Sequence, residues 1–147
     1  MMESRFEKRA AYVRNKVDYY MGRFSKMQMT GDKVSWNWAA FFFTSYWLIY
    51  RKMYKPFAIV AALEIFLIPA AAELIEPIGA LTFVLNILIG LFGNYLYMNH
   101  IDQLIDNEPV GDMMAVTDYQ NKNGGTTYYV WIYLGVAAVI SMLLPFN

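Results

Sequence analysis

Phe57 to Ile75 reads FAIVAALEIFLIPAAAELI, apolar throughout except for Glu64 until Glu73 closes it. As a helix rising ~1.5 Å per residue, such a stretch reaches across most of the ~30 Å hydrocarbon core of a bilayer. A second run opens at Pro77, a residue suited to the first turn of a helix. It continues to about Met98, with Thr82, Asn86, Asn94 and tyrosines as its only polar side chains. Glu76-Pro77 then marks a tight turn between two antiparallel spans. A third run, Tyr128 to Phe146, opens with Tyr128, Tyr129, Trp131 and Tyr133, the residue types that anchor a helix at a membrane surface.

Working outward, the rest of the chain fits this reading. Hydrophobic residues make up 58% of the 147 positions and charged residues 16%. Soluble domains hold ~45–50% and ~25% respectively, and small folds bury only ~60–70% of their area. The excess apolar surface calls for lipid. Net charge is zero, yet eleven of the twelve Lys and Arg fall between Arg5 and Lys55. Such a basic end beside apolar runs is expected on the cytoplasmic side. The first thirty residues lack the apolar centre of a secretory signal, so internal segments are expected to direct insertion.

Phe6, Ala10, Val13, Val17, Tyr20, Phe24 and Met27 recur at steps of four and three. This spacing predicts one amphipathic helix within a basic segment 1–33, lying on an anionic leaflet or packing its stripe on a partner or the chain's own core. Trp36 to Tyr50 (WNWAAFFFTSYWLIY) is uncharged but reaches only ~22 Å as a helix. Basic residues flank it on both sides. A full crossing would strand one basic cluster outside, so residues 34–55 are expected to form a re-entrant or interfacial helix with both ends cytoplasmic.

The expected fold class is therefore all-α and polytopic: a basic N-terminal helix, then a membrane domain over 34–147. Within it, 56–75, 77–98 and 128–146 are transmembrane, and 99–127 is a polar helical loop. Asp112 is a candidate cap there, and Gly124-Gly125 a helix stop.

Glu64, Asn86 and Asn94 form the candidate intramembrane polar site, because ionisable groups at membrane depth are costly and face protein or water. Glu64 is expected either as a proton or cation site with Asn86, or as structural glue, a protonated carboxyl bonded to Asn86 or a tyrosine. Asn86 and Asn94, eight apart, fall within about 80° of one face. Gly90 and Gly93 allow close helix approach. Trp36, Trp38, Trp47, Arg51, Lys52 and Lys55 are the candidate headgroup and interface residues.

The absence of cysteine excludes disulfides, thiol nucleophiles and thiolate metal sites. His100 alone is a poor metal ligand set. No phosphate-binding loop, dinucleotide fingerprint or nucleophile elbow occurs, and the basic cluster lacks the signatures of nucleic-acid binders. No catalytic residue, metal or cofactor is expected. The expected partners are the lipid bilayer and a membrane protein or a second copy.

Three strings together carry a resemblance. They are Trp36-Asn37-Trp38-Ala39-Ala40-Phe41-Phe42-Phe43 leading to Trp47 and Tyr50-Arg51-Lys52-Met53-Tyr54; Gly93-Asn94-Tyr95-Leu96-Tyr97 with His100; and Gly124-Gly125-Thr126. The chain resembles the domain-of-unknown-function family numbered 2628, small bacterial inner-membrane proteins, over about Tyr19 to Ile140. In that family a Gly-Pro pair often follows the Phe run, where Thr44-Ser45 stands here. The resemblance implies an envelope protein with a cytoplasmic basic end and supplies no activity. A non-enzymatic interaction, regulatory or immunity-type role is the leading expectation. A small proton- or cation-coupled transport component centred on Glu64 is the alternative.

Overall fold

Helices α1 (Arg5–Val13), α2 (Val17–Thr30), α3 (Trp38–Tyr50), α4 (Tyr54–Ala62), α5 (Ile78–Asp106), α6 (Met113–Asn123) and α7 (Tyr129–Leu143) follow one another along the chain. A π-helical turn, Leu63–Leu67, extends α4. The computed structural model describes residues 4–67 and 78–143, and the described residues contain no strand. The fold is all-α.

The N-terminal stripe forms two helices rather than one. Arg14 and Lys16 adopt positive φ, 56° and 59°, which costs L-residues about 1–2 kcal/mol each. Partners that a continuous helix would not meet offset that cost. The Gly125 N–H donates to the Tyr12 carbonyl at 2.6 Å, and Asn15 Nδ2 donates to Thr126 Oγ1 at 2.9 Å. The Arg51 guanidinium donates to the Asn15 carbonyl. Val13, Tyr20, Phe24 and Met27 are buried in the core with Trp47, Leu48, Tyr97 and Ile101. The stripe thus faces the protein's own core, and of its members Phe6 is exposed.

The basic residues of α1 are likewise committed. Arg9, 4% exposed, forks onto Asp102 with bonds of 2.8 and 2.7 Å. Arg5 reaches Asp102 and Asp106, and Lys8 pairs with Glu108. Burial pushes the Glu108 carboxyl up, but Lys8, Gln120 and Tyr12 outweigh it and hold it below the usual carboxylate range. The Tyr12 hydroxyl, buried beside that carboxylate, is pushed up. The lopsided charge of the sequence is therefore partly neutralised within the fold. These pairs clamp α1 onto the end of α5.

The segment around α3 doubles back on itself. Its first part runs down α5: Ser35 N donates to Leu91 O, and Asn37 N to Gly90 O, while the Phe41 ring sits 5.9 Å from Phe83. At Thr44 the backbone leaves helical geometry (φ 20°, ψ −96°). The second part climbs back, so that Trp47 packs on Gly93 and on the Tyr97 ring. Arg51 then lies against Tyr97 again. Both ends of the segment flank residues 90–97 of α5, and Thr44 is its lowest point, beside Asn86.

One helix among the described residues, Ala80–Asp106, is long and apolar enough to cross a membrane. Of the other two expected spans, 56–75 is described through Leu67 and 128–146 through Leu143. The expected turn at Glu73–Pro77 lies outside the described residues.

Candidate functional site

Two polar clusters hold the doubled-back segment against its neighbours. In the upper one both amides are enclosed, and Ser35 is half-buried. Asn37 caps α3 through its side-chain oxygen, which accepts from Ala40 N, and its Nδ2 donates to Asn94 Oδ1 at 2.9 Å. Asn94, 0% exposed, donates in turn to the carbonyl and hydroxyl of Ser35 at 3.2 and 3.1 Å. Every polar atom of Asn94 is engaged in tying α5 to the start of α3. Buried amides satisfied in this way fix one register, because any slip would strand them.

The lower cluster surrounds the reversal. Thr44 Oγ1 donates to Asn86 Oδ1 at 2.7 Å. Its neighbour Ser45 interacts with both the Glu64 carboxyl and the Tyr133 hydroxyl. Glu64 lies in the π-helical turn, a distortion that often marks functional positions. Thr44 and Ser45 are buried, while Glu64, Asn86 and Tyr133 are half-buried. A β-branched residue at positive φ stores of order 1–3 kcal/mol. The contacts of Thr44 and Ser45 with α5, the π-helical turn and α7 hold that geometry.

Of the two partners expected for Glu64, Asn86 or a tyrosine, the tyrosine is the one nearby: the reversal stands between Glu64 and Asn86, with Thr44 facing Asn86 and Ser45 shared by Glu64 and Tyr133. Asn94 belongs to the other cluster, since the two amides meet different limbs of the doubled-back segment. Asn37 and Thr44-Ser45 entered the sequence reading through the family resemblance and Tyr133 as an interface anchor, none of them as a site residue. Asn37 directly before an apolar run is an N-cap signal, and Thr44-Ser45 is the one polar pair in that run.

The interface residues divide. Trp38 and Lys55 are exposed and Trp36 is half-buried. Trp47 is enclosed in the core, so its large ring fills the space above Gly93 instead of meeting headgroups. Arg51 is 3% exposed and cannot reach lipid phosphates. Its guanidinium lies 4.4 Å from the Tyr20 ring centre, 5.1 Å from Tyr97 and 5.6 Å from Tyr50, held by cation–π attraction. Lys52 donates to the carbonyls of Lys122 and Gly124 at 2.9 and 2.8 Å. Among the described residues no group of His, Asp and Glu could hold a metal ion.

A family model described as "Protein of unknown function (DUF2628)" matches residues 3–102. The chain belongs to the DUF2628 family. The DUF2628 match takes in α1 to α4, the upper polar cluster, the lower cluster apart from Tyr133, and most of α5, ending at the Asp102 that receives Arg9. It corrects the extent read from the sequence at both ends: α1 is included, and Gly124-Gly125-Thr126 is not. No curated protein and no solved structure matches the chain.

Proposed function

We propose that this DUF2628 protein is a small multi-pass protein of the bacterial inner membrane that acts by binding a membrane protein or lipid, in a regulatory or immunity-type role without catalysis. The observation that carries this reading is the distribution of exposed apolar side chains. Phe42 and Phe43 of α3, Ile59 of α4, Phe66 (73% exposed), Phe83 and Val84 of α5, and Trp131 (72%) of α7 all face outward. Soluble monomers rarely expose contiguous apolar patches beyond a few hundred Å². Apart from Glu64, the described parts of 56–98 and 128–143 carry no charged side chain. Charges gather instead on α1, α2, the turn after α3, and the stretch from Asp102 to Lys122.

In this reading 56–75, 77–98 and 128–146 cross the bilayer, and the N-terminus is cytoplasmic. The doubled-back α3 dips in and returns to the same side, which explains why basic residues flank both its ends. Lys33, lying over the Tyr95 ring, marks the cytoplasmic surface near that level of α5. The lower cluster favours a second reading, a proton- or cation-coupled transport component. Glu64 there shares Ser45 with Tyr133 at the strained reversal, and Glu64→Gln would abolish flux through reconstituted vesicles.

Because no native cysteine exists, single cysteines test the topology directly. Lys55 and Val110 are both exposed. A membrane-impermeant maleimide is expected to label Lys55→Cys and Val110→Cys in inside-out vesicles and neither in whole cells with a permeable outer envelope. Labelling of both positions from outside, with Gln28→Cys before α3 (also exposed) protected, would turn the dip at α3 into a full crossing.

A further inference from the structure

Between α5 and the turn that follows α3 lies a cavity of about 490 Å³, within the ~300–1,000 Å³ of small-molecule sites. On the α5 wall, Asn99 and Gln103 stand four apart and so share one stripe, with His100 beside them. The opposite wall brings together Lys52, Lys55 and Lys122 from two separate parts of the chain. No Asp or Glu lines the cavity. The acidic residues of this region are spent elsewhere, Asp102, Asp106 and Glu108 on α1. An ammonium carries three donors. Lys52 uses two on the Lys122 and Gly124 carbonyls, which fixes its head at the cavity and leaves one donor over.

We propose that this cavity binds a phosphate ester, its anion held by the three lysines and its polar substituents by the amides of α5. Ammonium groups are point-charge binders of phosphate, and the cavity is several times larger than a bare phosphate needs. Tyr54, Lys55 and Pro56 line it and begin α4, whose Ile59 and Ile65 are exposed apolar side chains further along. That continuity points to the headgroup of an acidic phospholipid with its chains along α4. The lipid source rests on the membrane reading above; the phosphate chemistry does not.

The full chain in neutral detergent, followed by native mass spectrometry, tests both. Phosphatidylglycerol is expected to be retained as one tight copy and phosphatidylcholine to be lost. Lys55→Gln/Lys122→Gln is expected to loosen phosphatidylglycerol about 25-fold, taking roughly a factor of five for each lysine near an anionic surface. Both residues are exposed, and unchanged circular dichroism confirms that the variant folds. A parallel titration with soluble glycerol phosphate separates the sources: saturable binding there, lost in the same variant, assigns the cavity to a free phosphate ester. Equal retention of both lipids with no binding of glycerol phosphate, or a double variant that binds like the parent in both arms, overturns the proposal. A chain that needs no detergent refutes the membrane reading alone, since the soluble arm still reports on the cavity.

Discussion

Asn94→Leu is expected to destabilise the protein by about 3 kcal/mol. Leucine keeps the branched outline of asparagine but carries bulkier methyl groups, so some overpacking adds to the loss of hydrogen bonding at this fully buried position. The change strands the Asn37 side-chain N–H and the Ser35 carbonyl and hydroxyl, which Asn94 now satisfies. Each buried group left without a partner costs about 1–3 kcal/mol. Asn37 also caps α3 through its other side-chain atom, so the penalty spreads to that helix start. Thermal unfolding in detergent, followed by circular dichroism, reads the effect. Asn86→Leu provides the contrast: it removes one bond from a half-buried pair and is expected to cost about 1 kcal/mol. Equal effects of the two changes would mean that the upper cluster is not the clamp described here.

The second large effect is expected from Gly93→Val, at about 3 kcal/mol or more. A Cβ at position 93 would stand 3.0 Å from the Ala40 Cβ and 3.4 Å from the Trp47 ring. Valine adds two methyl groups to that crowding, and both limbs of the doubled-back segment would have to move. Inserting carbon into a packed interface typically costs about 1–3 kcal/mol, and the backbone-level contact here places the change at the upper end. Ala40→Gly in the same chain removes the nearer clash and is expected to recover part of the loss. Tolerance of Gly93→Val without loss of stability would show that α3 and α5 are not in this close register.

What the sequence made legible followed from composition and local spacing. The apolar runs and their flanking charges were enough for an all-α chain and for a short aromatic segment that does not behave as a full-length span. The break at Arg14–Lys16 was hidden because Val13 and Val17 keep a helical step of four across it, and apolar spacing carries no record of the sign of φ. Neither glycine nor proline marks the break. Its cause lies far along the chain, in Thr126, Gly125 and Arg51.

The same holds for the charges. The basic excess at one end was visible, but pairing Arg9 with Asp102 requires two residues more than ninety positions apart to meet. Glu64 and Asn86 were recognised as unusual in their surroundings, and they do sit at one level of the fold. Their pairing with each other was mistaken because the reversal at Thr44 could not be read from residue types: a Thr-Ser pair is compatible with a straight helix. Arg51 was misplaced for a related reason. A basic residue after an aromatic run suggests a headgroup contact, whereas three tyrosine rings from α2, α3 and α5 converge on it.

The most direct test of the central claim is extraction of membranes from cells expressing the full chain. Washing at alkaline pH is expected to leave it in the pellet, with release only on adding detergent, because in the proposed reading acyl chains cover the outward-facing side chains of α4, α5 and α7. Recovery of the chain in the wash, as a monodisperse monomer in buffer without detergent, would contradict the account.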